Sequence, residues 1–339
     1  MNKFITYLAI ALCSLCINAC MRPEKWQECN GAVWNTTYHI VYRADKILDD
    51  SIQACFSRIN KSVSAFDNSS TISRINRNET VVTDTMFRSI FTMAQQINNE
   101  SRGMFDPTVS PLINLWGYGY TGHTDSIPND SLIEKALSAV GIADCLIAPD
   151  GTISKKDIAT EFNFSALAKG FGCDEVGRML RRNGCNNYMI EIGGEIALHG
   201  TNPHNRTWYI MIDAPIDNTL APTHIGMRTI RATDCGLATS GNYRNYRDTS
   251  RGRTSHTINP ITGYPTTFLP SDTLVLSATV IAPTAMEADA LATACMCMAP
   301  SQALSMIKSK PGRSALLVVD RHGAGHPQSL HTDNFPQPE

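Results

Sequence analysis

The segment Leu274-Val-Leu-Ser-Ala-Thr-Val-Ile-Ala-Pro-Thr-Ala-Met-Glu-Ala-Asp-Ala-Leu-Ala-Thr-Ala-Cys-Met-Cys-Met298 changes its periodicity halfway along. Leu274 to Ile281 is a short, largely apolar run of strand length. Thr284-Ala-Met-Glu287 is a capping box, so a helix is expected from there to about Met298. Asp289 and Thr293 lie four apart on that helix and therefore face one way. A carboxylate and a hydroxyl are hard oxygen donors, suited to Mg²⁺ or Ca²⁺ rather than zinc. The same pair also reads as an ordinary polar helix face, so on its own it decides little.

Working outward, further strands are expected at Trp34 to Val41, Tyr188 to Ile192, Trp208 to Ile212 and Ala315 to Val318. Phe87, Ile90, Phe91, Ala94 and Ile97 give helical spacing over Thr85 to Asn98. Ser131-Leu-Ile-Glu134 is a second capping box, opening a helix that ends at Gly141. Ser165 to Asn183 reads as a helix closed by Gly184. No steady βαβ rhythm and no internal repeat is visible. The expected class is α/β or α+β, with a mixed sheet packed by helices. The 339 residues, 42% hydrophobic with 22 glycines and 17 prolines, fit one large globular domain or two fused lobes. A net charge of −2 and the lack of a basic block argue against a broad nucleic-acid footprint.

The N-terminus reads separately. Lys3 precedes an apolar run, Phe4 to Ile17, that is too short to span a membrane as a mature helix and reads as a secretory signal. It ends Ile17-Asn18-Ala19-Cys20, which resembles a bacterial lipobox. The expected organisation is a signal over 1–19, a tether over 20–31 behind a lipidated Cys20, and one domain over 32–332. The protein would then be exported and anchored to a cell membrane, facing the periplasm. Of 11 cysteines, the eight from Cys29 onward are scattered and read as small buried hydrophobes.

Two motifs are decoys. Gly117-Tyr-Gly119-Tyr-Thr-Gly122 matches a dinucleotide fingerprint, but that fingerprint needs a strand before it and a helix after it. Ser240 lacks the first half of a nucleophile elbow. More promising is Ser255-His256-Thr257-Ile258-Asn259-Pro260, a strand end leading into a turn, where His256 suits a general base or a structural role. Gly193-Gly194-Glu195 after a strand permits positive φ or close backbone approach. Asp106, in the loop after Gly103, either fixes a turn or binds a ligand.

Taken in order, these segments resemble the ApbE family of FAD:protein FMN transferases. The matching stretches are Thr36 to Ile40, Ser64 to Asp67 with Ile75-Asn76, Gly103 to Gly119, Asn163 to Gly170 with Asp174, Ile192 to Glu195, Ala238 to Asn245, Ser255 to Pro265 and Ala288 to Thr293. The resemblance implies a T-fold-type core with the flavin site in a cleft between lobes. It implies FAD contacts from Trp34, Phe66, Met104, Phe105, Asp106, Asn163, Lys169 and Ile258. It further implies Mg²⁺ held by Asp289, Thr293 and an oxygen of Ala166, with His256 as base. The reaction would move FMN from FAD to a threonine or serine hydroxyl of a target protein, releasing AMP. The acceptors implied are subunits of Rnf-type or sodium-pumping NADH:quinone reductase complexes, or other exported flavoproteins. The alternatives are an FAD pyrophosphatase giving FMN and AMP, and a non-enzymatic flavin-binding lipoprotein.

The chain departs from the family pattern at four places. Many members have glycine at Asn35, tyrosine at Phe66 and aspartate at Asn163, and some have a second aspartate at Ala292. Stacking survives at Phe66 without the hydroxyl, and Asn163 keeps its hydrogen bonding without the charge.

Overall fold

The structure, a computed structural model, describes residues 24–119, 126–215, 226–242, 246–249, 252–267, 273–321 and 326–338. The signal segment and Cys20 lie outside the described residues, as does Gly122 of the glycine-rich loop. Among the described residues no helix is long and apolar enough to cross a membrane.

An eight-stranded sheet runs in the order β1 (Lys25–Val33), β2 (Thr36–Ala44), β5 (Tyr188–Ile192), β6 (Glu195–His199), β9 (Cys235–Gly241), β12 (Thr273–Ala282), β13 (Ser314–Arg321) and β14 (Gln328–His331). Every pairing between these strands is antiparallel. The mixed α/β class stands, but the expected mixed sheet does not. Parallel neighbours need long crossovers, whereas β1–β2 and β5–β6 are hairpins with two-residue turns. The tether expected over 20–31 also gives way from Lys25 onward, where edge strand β1 pairs with β2 along its whole length. At the other end Phe335 is buried, so the core extends past residue 332.

Strand alternation sorts the core into two layers. Ala278, Val280 and Ala282 of β12, with Ala315, Leu317 and Val319 of β13, face a helical layer. Ile281 and Leu316 face the opposite side. That side is covered by the hairpin of β7 (Trp208–Asp213) and β8 (Gly226–Ala232) through Trp208, Ile210 and Ile230. Burial on both faces explains why β12 reads as a nearly continuous apolar run rather than an alternating one.

The helical layer holds α1 (Asp49–Val63), α2 (Thr71–Asn76), α3 (Thr85–Glu100), α6 (Ser165–Arg182), α7 (Ala285–Met296) and α8 (Pro300–Lys308). A satellite of α4 (Ser110–Leu115) and α5 (Asp130–Ser138) packs Leu112, Trp116 and Ile133 against Ile258. Helix α5 is capped by Asn129, whose side chain accepts from Leu132 N, and not by Ser131. Two residues fit the same capping grammar here, and the turn geometry chose the earlier one. Helix α7 begins at Thr284 as expected, with the Glu287 N–H donating to Thr284 Oγ1 at 3.2 Å. The Glu287 carboxylate does not reach back to complete the box; it pairs with buried Arg313. Gly117 follows the end of α4, so the glycine-rich loop has a helix before it where a dinucleotide site needs a strand. All eight cysteines from Cys29 on are free thiols, and only Cys235 and Cys297 are partly exposed.

Candidate active site

A cavity of about 410 Å³ lies between the helical layer and the satellite. Met104, Phe105, Asp106, Asn163, Ala166, Lys169, His256, Ile258, Asp289 and Thr293 all line it. Trp34 and Phe66 line a second cavity of about 310 Å³. Ser165 and Lys169 belong to both, so the two adjoin at the start of α6.

The loop before the first cavity is locked by Asp106. Its Oδ1 accepts from Thr108 N at 2.8 Å and Thr108 Oγ1 at 2.5 Å, and its Oδ2 accepts from Asn98 at 3.1 Å and Ile142 N at 3.0 Å. Burial pushes this carboxyl above its ordinary range, against the pull of those donors. Its acceptor capacity is used inside the protein, so Asp106 holds the wall in place. Asn163 ties this loop to α6. Its N–H donates to Pro107 O at 2.7 Å, and its side-chain oxygen accepts from Ser165 N and Oγ. What Asn163 has left to offer a ligand is its NH₂ group.

Helices α6 and α7 meet almost backbone to backbone. A Cβ on Gly170 would stand 2.3 Å from Ala285 O, so only glycine allows the approach. One turn along α6, half-buried Asp174 accepts from Ala285 N and Met286 N, both at 3.0 Å, and supplies the α7 N-terminus with its missing acceptors. Burial lifts the Asp174 carboxyl to about 6, opposed by those two N–H groups. One turn back, the Gly170 N–H lies 3.1 Å from Asp289 Oδ2. In a regular helix that N–H points at the Ala166 carbonyl. The Ala166 and Asp289 oxygens therefore converge. Thr293 is one turn further along α7, with its hydroxyl 3.3 Å from Ser240 Oγ on β9.

Charge in the site is unbalanced. Glu195 and Asp289 are each 3% exposed, and Lys169 Nζ sits 2.5 Å from Glu195 Oε1. Burial opposes the charge on Lys169, but Glu195 and Asp289 outweigh it and hold the ammonium at about 12. Burial and then the Asp289 charge raise Glu195, against the attraction of Lys169. Burial likewise raises Asp289. Glu195 Oε2 is buried with no hydrogen-bond partner. Two buried carboxylates against one ammonium favour either a proton on one of them or a further cation. The donor set of Asp289, Thr293 and the Ala166 carbonyl fits Mg²⁺, which commonly takes few protein oxygens and completes its shell with water or phosphate. Among the described residues no cluster of three or more His, Cys, Asp or Glu stands where it could hold a metal ion.

His256 follows β11 (Gly252–Ser255) on a segment tied down on both sides. Thr257 donates to Asn242 at 3.0 Å, Ser255 Oγ lies 3.1 Å from Thr266 Oγ1, and Trp116 Nε1 donates to Gly263 O at 2.9 Å. Cys297, at the end of α7, donates to Ile258 O at 3.7 Å. The second cavity is framed differently. Trp34 and Asn35 both adopt left-handed φ, +49° and +60°, in the two-residue turn between β1 and β2. The Trp34 ring packs edge-on to Phe56, 5.5 Å between centroids, and lies over Gly172, whose missing Cβ would be 2.8 Å away. Phe66 is 71% exposed at the rim.

The model of the ApbE family matches residues 34–317. The chain belongs to the ApbE family. A relative named FAD:protein FMN transferase, from Haemophilus influenzae, is 31% identical over 337 residues, covering 94% of each chain. The one from Vibrio cholerae is 33% identical over 311 residues, covering 88% of this chain and 90% of its own. The solved flavin transferase ApbE of Vibrio cholerae matches with a TM-score of 0.79 at 30% identity, over 92% of this chain and 99% of that one. The apo flavinyl transferase ApbE of Pseudomonas stutzeri also gives 0.79, at 27% identity, over 91% and 95%.

Two contributors to the site had no assigned role in the sequence. Glu195 was visible only as the end of a Gly-Gly-Glu turn. The signal for it is period two: Ala197 of β6 faces the helical layer, so Glu195 does too. Asp174 carries a similar signal, standing four residues after Gly170 on the α6 face that meets α7.

Proposed function

We infer that this protein transfers FMN from FAD to a threonine or serine hydroxyl of another protein and releases AMP. The observation that carries this reading is the pair of adjoining cavities. His256, Lys169, Ala166, Asp289 and Thr293 line the first, and Trp34 and Phe66 line the second. That space suits a two-ringed nucleotide bound across Lys169. Two protein groups then act on the pyrophosphate. Lys169 sets a positive charge beside it, and the tied-down walls hold the line of attack. The acceptor oxygen bonds to the FMN phosphorus, its proton passes to a ring nitrogen of His256, and the bond to AMP breaks with the electron pair leaving on AMP. Mg²⁺ on Asp289, Thr293 and the Ala166 carbonyl would supply charge neutralisation.

The acceptor class we favour is an exported flavoprotein subunit, of Rnf or sodium-pumping NADH:quinone reductase type. The lipobox-like Asn18-Ala19-Cys20 supports this, since a lipid on Cys20, with β1 starting at Lys25, would keep the domain close to the membrane face. The test is mass spectrometry of such an acceptor after incubation with the protein, FAD and Mg²⁺, with and without EDTA. An adduct of one FMN, with AMP formed and both lost in EDTA, is expected. Free FMN and AMP with an unmodified acceptor would establish the pyrophosphatase instead. No AMP at all would leave a flavin-binding protein.

A further inference from the structure

Lys169 has a long flexible stem, so its ammonium settles on whichever carboxylate the fold offers. Two are in reach of its field, and each arrives from a different element. Glu195 comes from β6 and Asp289 from α7. The ammonium is on Glu195, at 2.5 Å, although Asp289 is equally buried.

The turn before Glu195 helps to direct it there. Gly193 has φ of +63° and Gly194 of +101°. A Cβ on Gly193 would lie 3.2 Å from Lys169 Cδ and 2.8 Å from Thr36 Oγ1, so the glycine opens the path along which the lysine stem runs. Glu195 is itself fixed, by ladder pairing with Ile192 and by the Cys173 thiol donating to its carbonyl at 3.2 Å. On the other side, Asp289 is oriented by the Gly170 N–H. Lys169 feels the Asp289 charge, but its close ion pair is with Glu195.

We propose that Glu195 is a positioning residue whose carboxylate neutralises Lys169, so that the ammonium does not claim Asp289 and that carboxylate stays available to a divalent cation. The proposal rests on the metal reading of the Asp289 site. Without Glu195, the nearest buried negative charge for Lys169 is Asp289. At low local dielectric an internal ion pair there competes directly with a metal ion. The rival role for Glu195 is direct ligation through its unpartnered Oε2.

Binding of Mn²⁺ to the purified chain without FAD, followed by the electron paramagnetic resonance signal of the free ion, separates these roles and does not depend on transfer. Glu195→Gln should weaken Mn²⁺ binding about tenfold or more, the usual scale for partners that orient metal ligands. Lys169→Met should bind at least as tightly as wild type. The double variant Glu195→Gln/Lys169→Met should regain most of the loss. Unchanged or tighter binding by Glu195→Gln overturns the proposal. So does a double variant as weak as Glu195→Gln, which would make Glu195 a ligand. If Glu195→Gln fails to fold, judged by its thermal transition, Lys169→Met still decides, because weaker binding by that variant is incompatible with the proposal. A wild-type chain that binds no Mn²⁺ removes the metal site and the proposal with it, whereas failure of FMN transfer alone leaves this test standing.

Discussion

The cavity around Asp289 and the slot beneath Trp34 share Lys169, yet their walls are made in different ways. The first is held by many short hydrogen bonds. Asp106 accepts four, Asp174 caps α7, and the Gly170 N–H fixes Asp289. The second is two rings and a turn. Trp34 is held in a left-handed conformation by packing, and Phe66 stands largely in solvent. Proton transfer and in-line attack need atoms placed to a fraction of an ångström. Stacking on a ring tolerates sliding, so fewer constraints suffice. On the proposed function, the contrast separates a wall that serves chemistry from one that serves recognition.

Substitutions can break or sharpen that contrast. The largest effect is expected at His256. His256→Ala should slow FMN transfer by about a hundred- to ten-thousand-fold, with FAD affinity by flavin fluorescence unchanged. A wild-type rate would move the chemistry out of the first cavity. Next is Gly170→Ala. Its methyl meets the Ala285 carbonyl, which cannot swing aside, so α7 must shift. We expect a loss of about 1–3 kcal/mol in unfolding experiments, together with weaker Mn²⁺ binding. An equally stable variant with intact Mn²⁺ affinity would mean that the close approach of the two helices does not hold the site.

Smaller changes are expected in the slot. Phe66→Ala should weaken FAD binding by about 1 kcal/mol, roughly fivefold, and leave kcat unchanged. A fall in kcat with KM constant would show that the exposed ring shapes the reaction and not only recognition. Asn35→Gly should alter the melting behaviour least, by about 0.5 kcal/mol or less, because asparagine already tolerates the left-handed conformation that glycine accepts freely. A large change would show that the Asn35 side chain has a role beyond the turn.

Much of the fold was legible in the sequence where energies are local. The apolar spacing of Phe87, Ile90, Phe91, Ala94 and Ile97 gave a helix over Thr85 to Asn98, and α3 spans Thr85–Glu100 with Asp84 as the cap that the structure adds. Tyr188–Ile192 is a strand over the residues expected. Failures came where two local readings were equally good, as with Asn129 and Ser131, or where partners lie far apart. Lys25–Val33 looks like a tether because only pairing with β2 makes it a strand. The antiparallel sheet was likewise hidden, since strand direction depends on connections that periodicity does not encode. In the site, the Asp289/Thr293 pair was readable because a helix puts residues four apart together. Glu195 and Asp174 were not assigned, because their partners stand on other elements.

The sequence by itself determined the capped start of α7, the shared face of Asp289 and Thr293, and the ordered motifs that place the chain in the ApbE family. Only the tertiary structure decided which carboxylate takes Lys169, that α6 and α7 touch at Gly170, and that Trp34 and Phe66 stand in a separate slot. Caps and periods are fixed by neighbours within a turn or two, where the chain entropy of meeting is small. The partner of a buried charge is chosen among residues brought together by the whole packed sheet, and that choice exists only once the sheet has formed.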